Sequence, residues 1–282
     1  MKKIFKLALV AVAFSTAFVA TELKAQDNGM GLTVGLEYMS NYLSKGQYVF
    51  AGNQGNGGAF FPYVNYNMPG TGLNVGIMGE ISEAWIGGAK EDAEHVKKTE
   101  PEHAVDFNIG YTYSVEDLTT VSFNLWYYRY QTVKDSGGMN PSYFDAILSA
   151  TADSIPLNPM FAFTYSYFMD KDYYEGAGDG KNESYYVQLG IGHSFNLVES
   201  ATLDLGAVAG WRHSKVGGST PDDISDINLS AGTTITKGML TFTGSFHYVI
   251  VPGTQYKYED VAGSIVKDIN RFYATFGVAC SI

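Results

Sequence analysis

Between His103 and Val133 the chain alternates with period two. Val105, Phe107, Ile109, Tyr111 and Tyr113 fall on one phase, and Ala104, Asp106, Asn108, Gly110 and Thr112 on the other. After the polar stretch 116–120, Val121, Phe123, Leu125 and Tyr127 alternate with Ser122, Asn124, Trp126 and Tyr128, and Arg129 then lands on the apolar phase. Successive side chains of a strand point to opposite faces, so this period means strand. Two such runs across a short polar turn make a β-hairpin. One face of the hairpin is apolar; the other mixes small, polar and aromatic side chains.

The same unit recurs along the chain. Twelve strands are expected after residue 29, separated by Gly, Pro, Asn or Asp clusters, beginning with a strand over 30–43 and ending with one that carries Phe272, Ala274, Phe276 and Val278. The abundance of Tyr (21), Phe (17) and Gly (32) against few Pro (8) suits many strands with tight turns. Connections near Pro69, Glu116, Pro156, Val198 and Gly238 are short, and the others are longer, polar and Gly-rich, among them AGNQGNGG, GGAKEDAEHVKKTEPE and SKVGGSTPDD. Short turns at one end and long loops at the other, on an even number of strands about ten residues long, is the outer-membrane barrel pattern. An open sheet would leave edge groups unsatisfied in lipid, so the sheet must close. The fold class expected is therefore an all-β, transmembrane, antiparallel up-and-down barrel of about 12 strands. Outward Tyr127, Tyr167, Tyr185, Trp211 and Tyr248 at the long-loop end, and Tyr66, Tyr111 and Tyr113 at the short-turn end, would form two aromatic belts.

Residues 1–25 have the pattern of a signal peptide: Lys2, Lys3 and Lys6, then an apolar run from Leu7 to Ala20, then a cut after Ala25. The division expected is 1–25 signal peptide and 26–282 barrel. Cleavage removes four lysines and one glutamate and takes the net charge from −11 to about −14. An acidic chain argues against nucleic acid as a partner. Cys280, the one cysteine, cannot form an internal disulfide. The remaining partners expected are outer-membrane lipid, small hydrophilic solutes or ions, and the machinery that inserts barrels.

Phases set by the apolar residues alone place Glu37, Glu80, Asp106, Asp145, Asp204, Arg212 and Arg271 inside the barrel. These are the candidate pore-lining charges. Arg129 points outward near an external strand end, where a cation costs about 0–1 kcal/mol rather than the 2–4 kcal/mol of mid-bilayer. Many other inward residues are small, such as Gly35, Ser122, Gly190, Gly206 and Thr275, with no row of leucines to fill the interior. A hydrated passage through a barrel of roughly 24 Å backbone diameter is the expectation. Inward Tyr63, Trp126, Tyr128, Tyr130, Tyr143, Tyr186 and Tyr273 fill lumen rather than form a sugar-binding slide.

No metal or cofactor is expected. The acidic stretch DKDYYEGAGDG lacks the ligand spacing of a calcium loop. No catalytic residue is assigned either. His103, His193 and His213 fall on the outward face; His247 is inward with Ser245 two residues away, but no Gly-x-Ser-x-Gly sequence supports a hydrolase.

The end of the first strand reads Ser40-Asn41-Tyr42-Leu43-Ser44-Lys45-Gly46-Gln47. It resembles the TorF-type putative porin family, whose first strand ends Ser-Asp-Tyr-x-x-Arg-Gly before a Gly-rich loop. Ser40, Tyr42 and Gly46 match, while Asn41 stands for the Asp and Lys45 for the Arg. The resemblance implies a small outer-membrane barrel acting as a small-solute channel. The function expected is passive diffusion of small hydrophilic solutes; the alternative is a closed barrel whose external loops bind a partner, as an adhesin or assembly component.

Overall fold

The structure is a computed structural model, and it describes residues 30–41, 43–44, 47–48, 58–82, 103–115, 119–130, 142–169, 183–214, 220–252, 258–259, 265–266 and 271–282. The barrel strands are β1 (Leu32–Met39), β2 (Ala59–Asn67), β3 (Leu73–Ser82), β4 (His103–Val115), β5 (Thr119–Tyr130) and β6 (Tyr143–Thr151). They continue as β7 (Met160–Phe168), β8 (Glu183–Val198), β9 (Ala201–Ser214), β10 (Thr220–Lys237), β11 (Leu240–Ile250) and β12 (Arg271–Ser281). Each pairs antiparallel with its sequence neighbour, and β12 pairs back onto β1, so the twelve-stranded barrel closes. Two-residue ladders at Leu43–Ser44 with Gln47–Tyr48 and Tyr258–Glu259 with Ile265–Val266 stand apart from it.

Closure is made by Thr33 opposite Ser281 through Met39 opposite Thr275. Ile282 N donates to Leu32 O at 2.8 Å at the seam. Stepping from residue to paired residue once round the barrel returns to β1 displaced by about 16 positions, which for twelve strands gives a tilt near 45° and a backbone diameter of about 24 Å. The short turns lie at one end, over 68–72, 116–118, 152–159, 199–200 and 238–239, and the longer connections at the other. The turn after β2 shows how local chemistry fixes the short end. Thr71 Oγ1 donates to Met68 O at 3.0 Å and accepts from Leu73 N at 3.1 Å. Gly72 has φ +78 and lies where a Cβ would strike the Thr112 carbonyl of β4, so both its conformation and its neighbour require glycine.

The outer face is apolar and bare. Phe272 is 71% exposed, Phe246 68% and Leu189 61%. Such a surface around a whole molecule would aggregate in water and is at equilibrium against acyl chains. Both expected belts form. Tyr127 stacks on Phe144 at 4.8 Å and Tyr248 packs on Phe272 at 4.6 Å towards the long-loop end. Exposed Tyr66, Tyr111 and Tyr113 ring the short-turn end. Arg129 is exposed, at the far end of β5, as the phase argument requires.

The ladder departs from the sequence reading in two places. The first strand ends at Met39 rather than running to Leu43. β10 begins at Thr220, inside the stretch read as the loop SKVGGSTPDD, because Asp223 and Thr220 pair with Arg212 and Ser214 across register shifts. A bulge adds an unpaired residue without ending the strand, and no periodicity test detects that.

Leu125 sits midway along β5 on the lipid face. Leu125→Arg should lower the unfolding free energy in lipid vesicles by about 2–4 kcal/mol, and Arg129→Leu should change it by less than about 1 kcal/mol; urea titration of refolded protein, followed by tryptophan fluorescence, measures both.

The candidate pore

Every residue that the phase argument placed inside and whose side chain is described does face inward. Glu37 pairs with Phe61 and Gly277, Glu80 with Ala104, Asp106 with Met78 and Tyr128, Asp145 with Trp126 and Ser166, and Asp204 with Gly232. Arg212 shares the inward phase of β9 with Asp204. Arg271 occupies the inward phase of β12 opposite Val249, but its side chain lies outside the described residues. Of the family motif, Ser40 and Asn41 are described: Ser40 Oγ accepts from Ala274 N at 2.9 Å and Asn41 Nδ2 donates to Phe272 O at 3.0 Å, fastening the end of β1 to β12. Tyr42, Lys45 and Gly46 lie outside the described residues.

In the half of the lumen nearer the short turns the inward residues are mostly small and polar, with one small buried cluster of Met160, Ala162 and Val208. In the other half, Met39, Phe61, Met78, Trp126, Tyr128, Ile147, Val249 and Tyr273 pack into one cluster, joined by Tyr63 and Tyr143. They come from β11, β12, β1, β2, β3, β5 and β6, an arc of wall interrupted at β4, which carries Asp106 at this height. Leucine was the residue looked for, and none is there; methionine, isoleucine, valine and aromatic rings on the mixed face do the filling. Tyr128 stacks on Tyr143 at 4.4 Å and Trp126 on Tyr128 at 6.0 Å. Rings that cover one another's faces offer no platform to a ligand, so the structure supports the lumen-filling reading of these aromatics.

Glu80, Asp106 and Asp145 lie within this layer at 0%, 0% and 1% exposure. Glu80 and Asp106 occupy the adjacent strands β3 and β4, and Asp145 lies on β6 at similar height, with Trp126 and Tyr128 of β5 between. Across the lumen, β8 to β10 carry a polar arc. Tyr186 Oη donates to Asp226 Oδ1 and Oδ2 at 2.9 and 3.1 Å, and Ser225 Oγ donates to Asp226 Oδ1 at 2.6 Å. Among the described residues, Arg212 Nε and Nη1 have no hydrogen-bond partner. Three acids on one arc face Arg212 and Asp226 on the other, and charges so placed act strongly on one another where water is scarce. Asp226 is an inward charge missing from the sequence-derived set, although it falls on the regular inward phase of β10 with Asn228 and Ser230; the bulge comes just before it, where Gly210 pairs with Asp226 and Trp211 with Ile224.

Ser245 and His247 do meet. Ser245 Oγ lies 2.7 Å from His247 Nε2, His247 Nδ1 lies 3.3 Å from Asn228 Oδ1, and the imidazole stacks flat on Tyr273 at 4.3 Å. Ser245 Oγ is also 2.6 Å from Thr275 Oγ1, and Asn228 Nδ2 donates to Tyr273 Oη at 3.3 Å. The connectivity is that of a Ser–His–Asn relay. Its surroundings are those of a brace: β11 is paired on both sides here, so the ladder engages the backbone N–H groups that an oxyanion would need.

No protein-family model and no curated protein sequence matches the chain. Solved structures do. The COG4313 outer membrane channel from Pseudomonas putida F1 superposes with a TM-score of 0.54 at 10% identity, covering 90% of this chain and 96% of that one. The NanC porin superposes with a TM-score of 0.52 at 9% identity, covering 89% and 100%. The chain is an outer-membrane β-barrel. At such identities the likeness extends to the fold and not to any one side chain in the lumen.

Tyr186→Phe removes both hydrogen bonds from the phenol to a buried carboxylate. It should destabilise the barrel by about 1.5–3 kcal/mol, read as a lower urea midpoint in vesicles with an unchanged slope.

Proposed function

We propose that the protein is a passive channel for small hydrophilic solutes. The observation that carries this reading is the wall of the lumen nearer the short turns. Gly35, Asn74, Ser122, Gly190, Gly206 and Thr243 are all partly exposed there, so water reaches an inner face of neutral, short groups. That half is wide because the side chains are small, and the backbone diameter of about 24 Å leaves room for solutes. Sharing a fold with a porin and an outer membrane channel supports the reading. So does the resemblance of Ser40–Gln47 to the TorF-type family. In keeping with it, residues 1–25 are a secretion signal removed on export, and insertion into the outer membrane is assisted by the barrel-assembly machinery.

The packed layer is then the constriction. Solutes pass by displacement of methionine and aromatic side chains between the acidic arc and Arg212, with Arg271 adding to the basic side. Width and the transverse field together filter what passes: Glu80, Asp106 and Asp145 against Arg212 and Arg271, with Glu37 and Asp204 lining the lumen nearer the short turns. The second reading, a closed barrel whose external loops bind a partner, is favoured by the same packed layer, because three acids with no more than 1% exposure lie in a lumen with little water at that height.

Conductance in a planar bilayer separates the two. Refolded protein should give discrete steps in potassium chloride, and Phe61→Ala with Met78→Ala should raise the step size by opening the layer. A folded barrel that stays silent in both forms belongs to the second reading. In a salt gradient, the double variant Arg212→Glu/Arg271→Glu should move the reversal potential towards cation selectivity, while Arg129→Glu on the lipid face should leave it unchanged; an unmoved potential in the double variant would remove the arginines from the filter.

A further inference from the structure

Below the packed layer, β2 to β5 carry five asparagines on the inner phase: Asn65, Asn74, Asn108 and Asn124, with Asn67 at the end of β2 opposite Asn74. They are interleaved with two glycines. Gly76 is paired with Asn65 on one side and Asn108 on the other, and Gly110 with Asn74 and Asn124. The amides use the room. A Cβ on Gly76 would collide with the Oδ1 atoms of both Asn65 and Asn108, and one on Gly110 with Asn124 Oδ1 and, at 2.8 Å, with the Asn74 amide. The four side chains therefore lie flat over glycine backbone instead of standing into the lumen. Asn108 Nδ2 donates to Asn74 Oδ1 at 3.1 Å, which ties the middle of the row together.

Across the lumen, at the same height once strand tilt is allowed for, Gly206, Gly232 and Gly277 present partly exposed backbone. The chamber is thus paved with amides on one side and lined on the other by glycines flanked by the short side chains of Thr243 and Ser245. The inward charges at this level, among the described residues, are the acids Glu37 and Asp204.

We infer that this amide pavement is a binding surface for neutral polyhydroxylated solutes, of which simple sugars are the common representatives. The inference rests on the channel reading and names the class of solute. A primary amide offers two donors and an acceptor with two lone pairs. A row of them matches a ligand whose hydroxyls each donate and accept, and it gives a simple cation or anion no charge to pair with. Asp204 at the same level, its Oδ2 held by Thr202 and Thr234, adds negative charge that repels anionic solutes. The opposite wall carries only short side chains, which leaves the pavement open to the lumen. Neutral amides hold such a ligand weakly, which suits a site that must also release its occupant.

The test uses refolded full-length barrel in a planar bilayer, with glucose and maltose as probes and tetraethylene glycol as a neutral solute lacking hydroxyl arrays. Sugar should lower the single-channel current saturably and more than the glycol does at equal concentration. Asn74→Leu/Asn108→Leu should weaken that block by about tenfold or more while the steps in plain salt persist. Gly76→Ala/Gly110→Ala, which keeps every amide but lifts the row into the lumen, should reduce the step size. Glucuronate should block less than glucose. If sugar and glycol lower the current alike, or the leucine variant blocks as the parent does, the pavement is no binding surface and the inference falls while the channel stands. If no steps appear, the channel reading falls, and fluorescence of Trp126, the register partner of Asn108, decides the site separately in a Trp85→Phe/Trp211→Phe background. A saturable change with maltose that the leucine pair abolishes upholds it; a flat titration overturns it.

Discussion

Inside a bilayer no water is available to the backbone, and every strand N–H and C=O must be met by another strand. That requirement ties together all that is seen here. It forces β12 back onto β1, with Ile282 and Leu32 exchanging hydrogen bonds at the seam. It fixes the number of faces at two, one for lipid and one for the lumen, so each residue's environment follows from whether its position is odd or even. It also commits the backbone around Ser245 to the ladder, which is why a hydrogen-bonded serine and histidine there act as a brace between β10, β11 and β12.

Closure leaves the interior as the place where the protein can differ from other barrels. The lumen divides along its axis. Towards the long loops, an arc of Met39, Phe61, Met78, Trp126 and Tyr273 packs as the core of a soluble protein would. It encloses acids that the opposite arc answers with Arg212 and a satisfied Asp226. Towards the short turns the wall is glycine, serine, threonine and asparagine. Burying charges beside an apolar layer is costly, and barrels that serve only as rigid anchors have no need of it. In the channel we propose, a field acts on a passing solute most where the dielectric is low.

The resemblances fit this division. Structures with the same closed sheet share about a tenth of their residues with this chain. Lipid-facing positions ask only for apolar character and turns only for tightness, so sequence can drift widely while the fold persists. The fold is shared and the lining is individual, which is why the solute class has to be argued from Asn65, Asn74, Asn108 and Asn124 rather than carried over from relatives.

The sequence by itself determined the strands, the alternation of short and long connections, and the side on which each residue of a regular strand falls. Period two is a local property, and Phe107 next to Asp106 is legible without any partner. Glu37, Glu80, Asp106, Asp145, Asp204 and Arg212 were placed inside on that ground, and they are inside. Tertiary structure alone decided how full the lumen is, since Met39, Phe61, Tyr128 and Tyr273 meet only when a shear of about 16 residues brings distant strands to one height. It also decided the flat lie of the asparagines, because Gly76 and Gly110 make room for amides that reach over from the paired strands. Which way a side chain points is written along one strand; what it meets there depends on the register of all twelve.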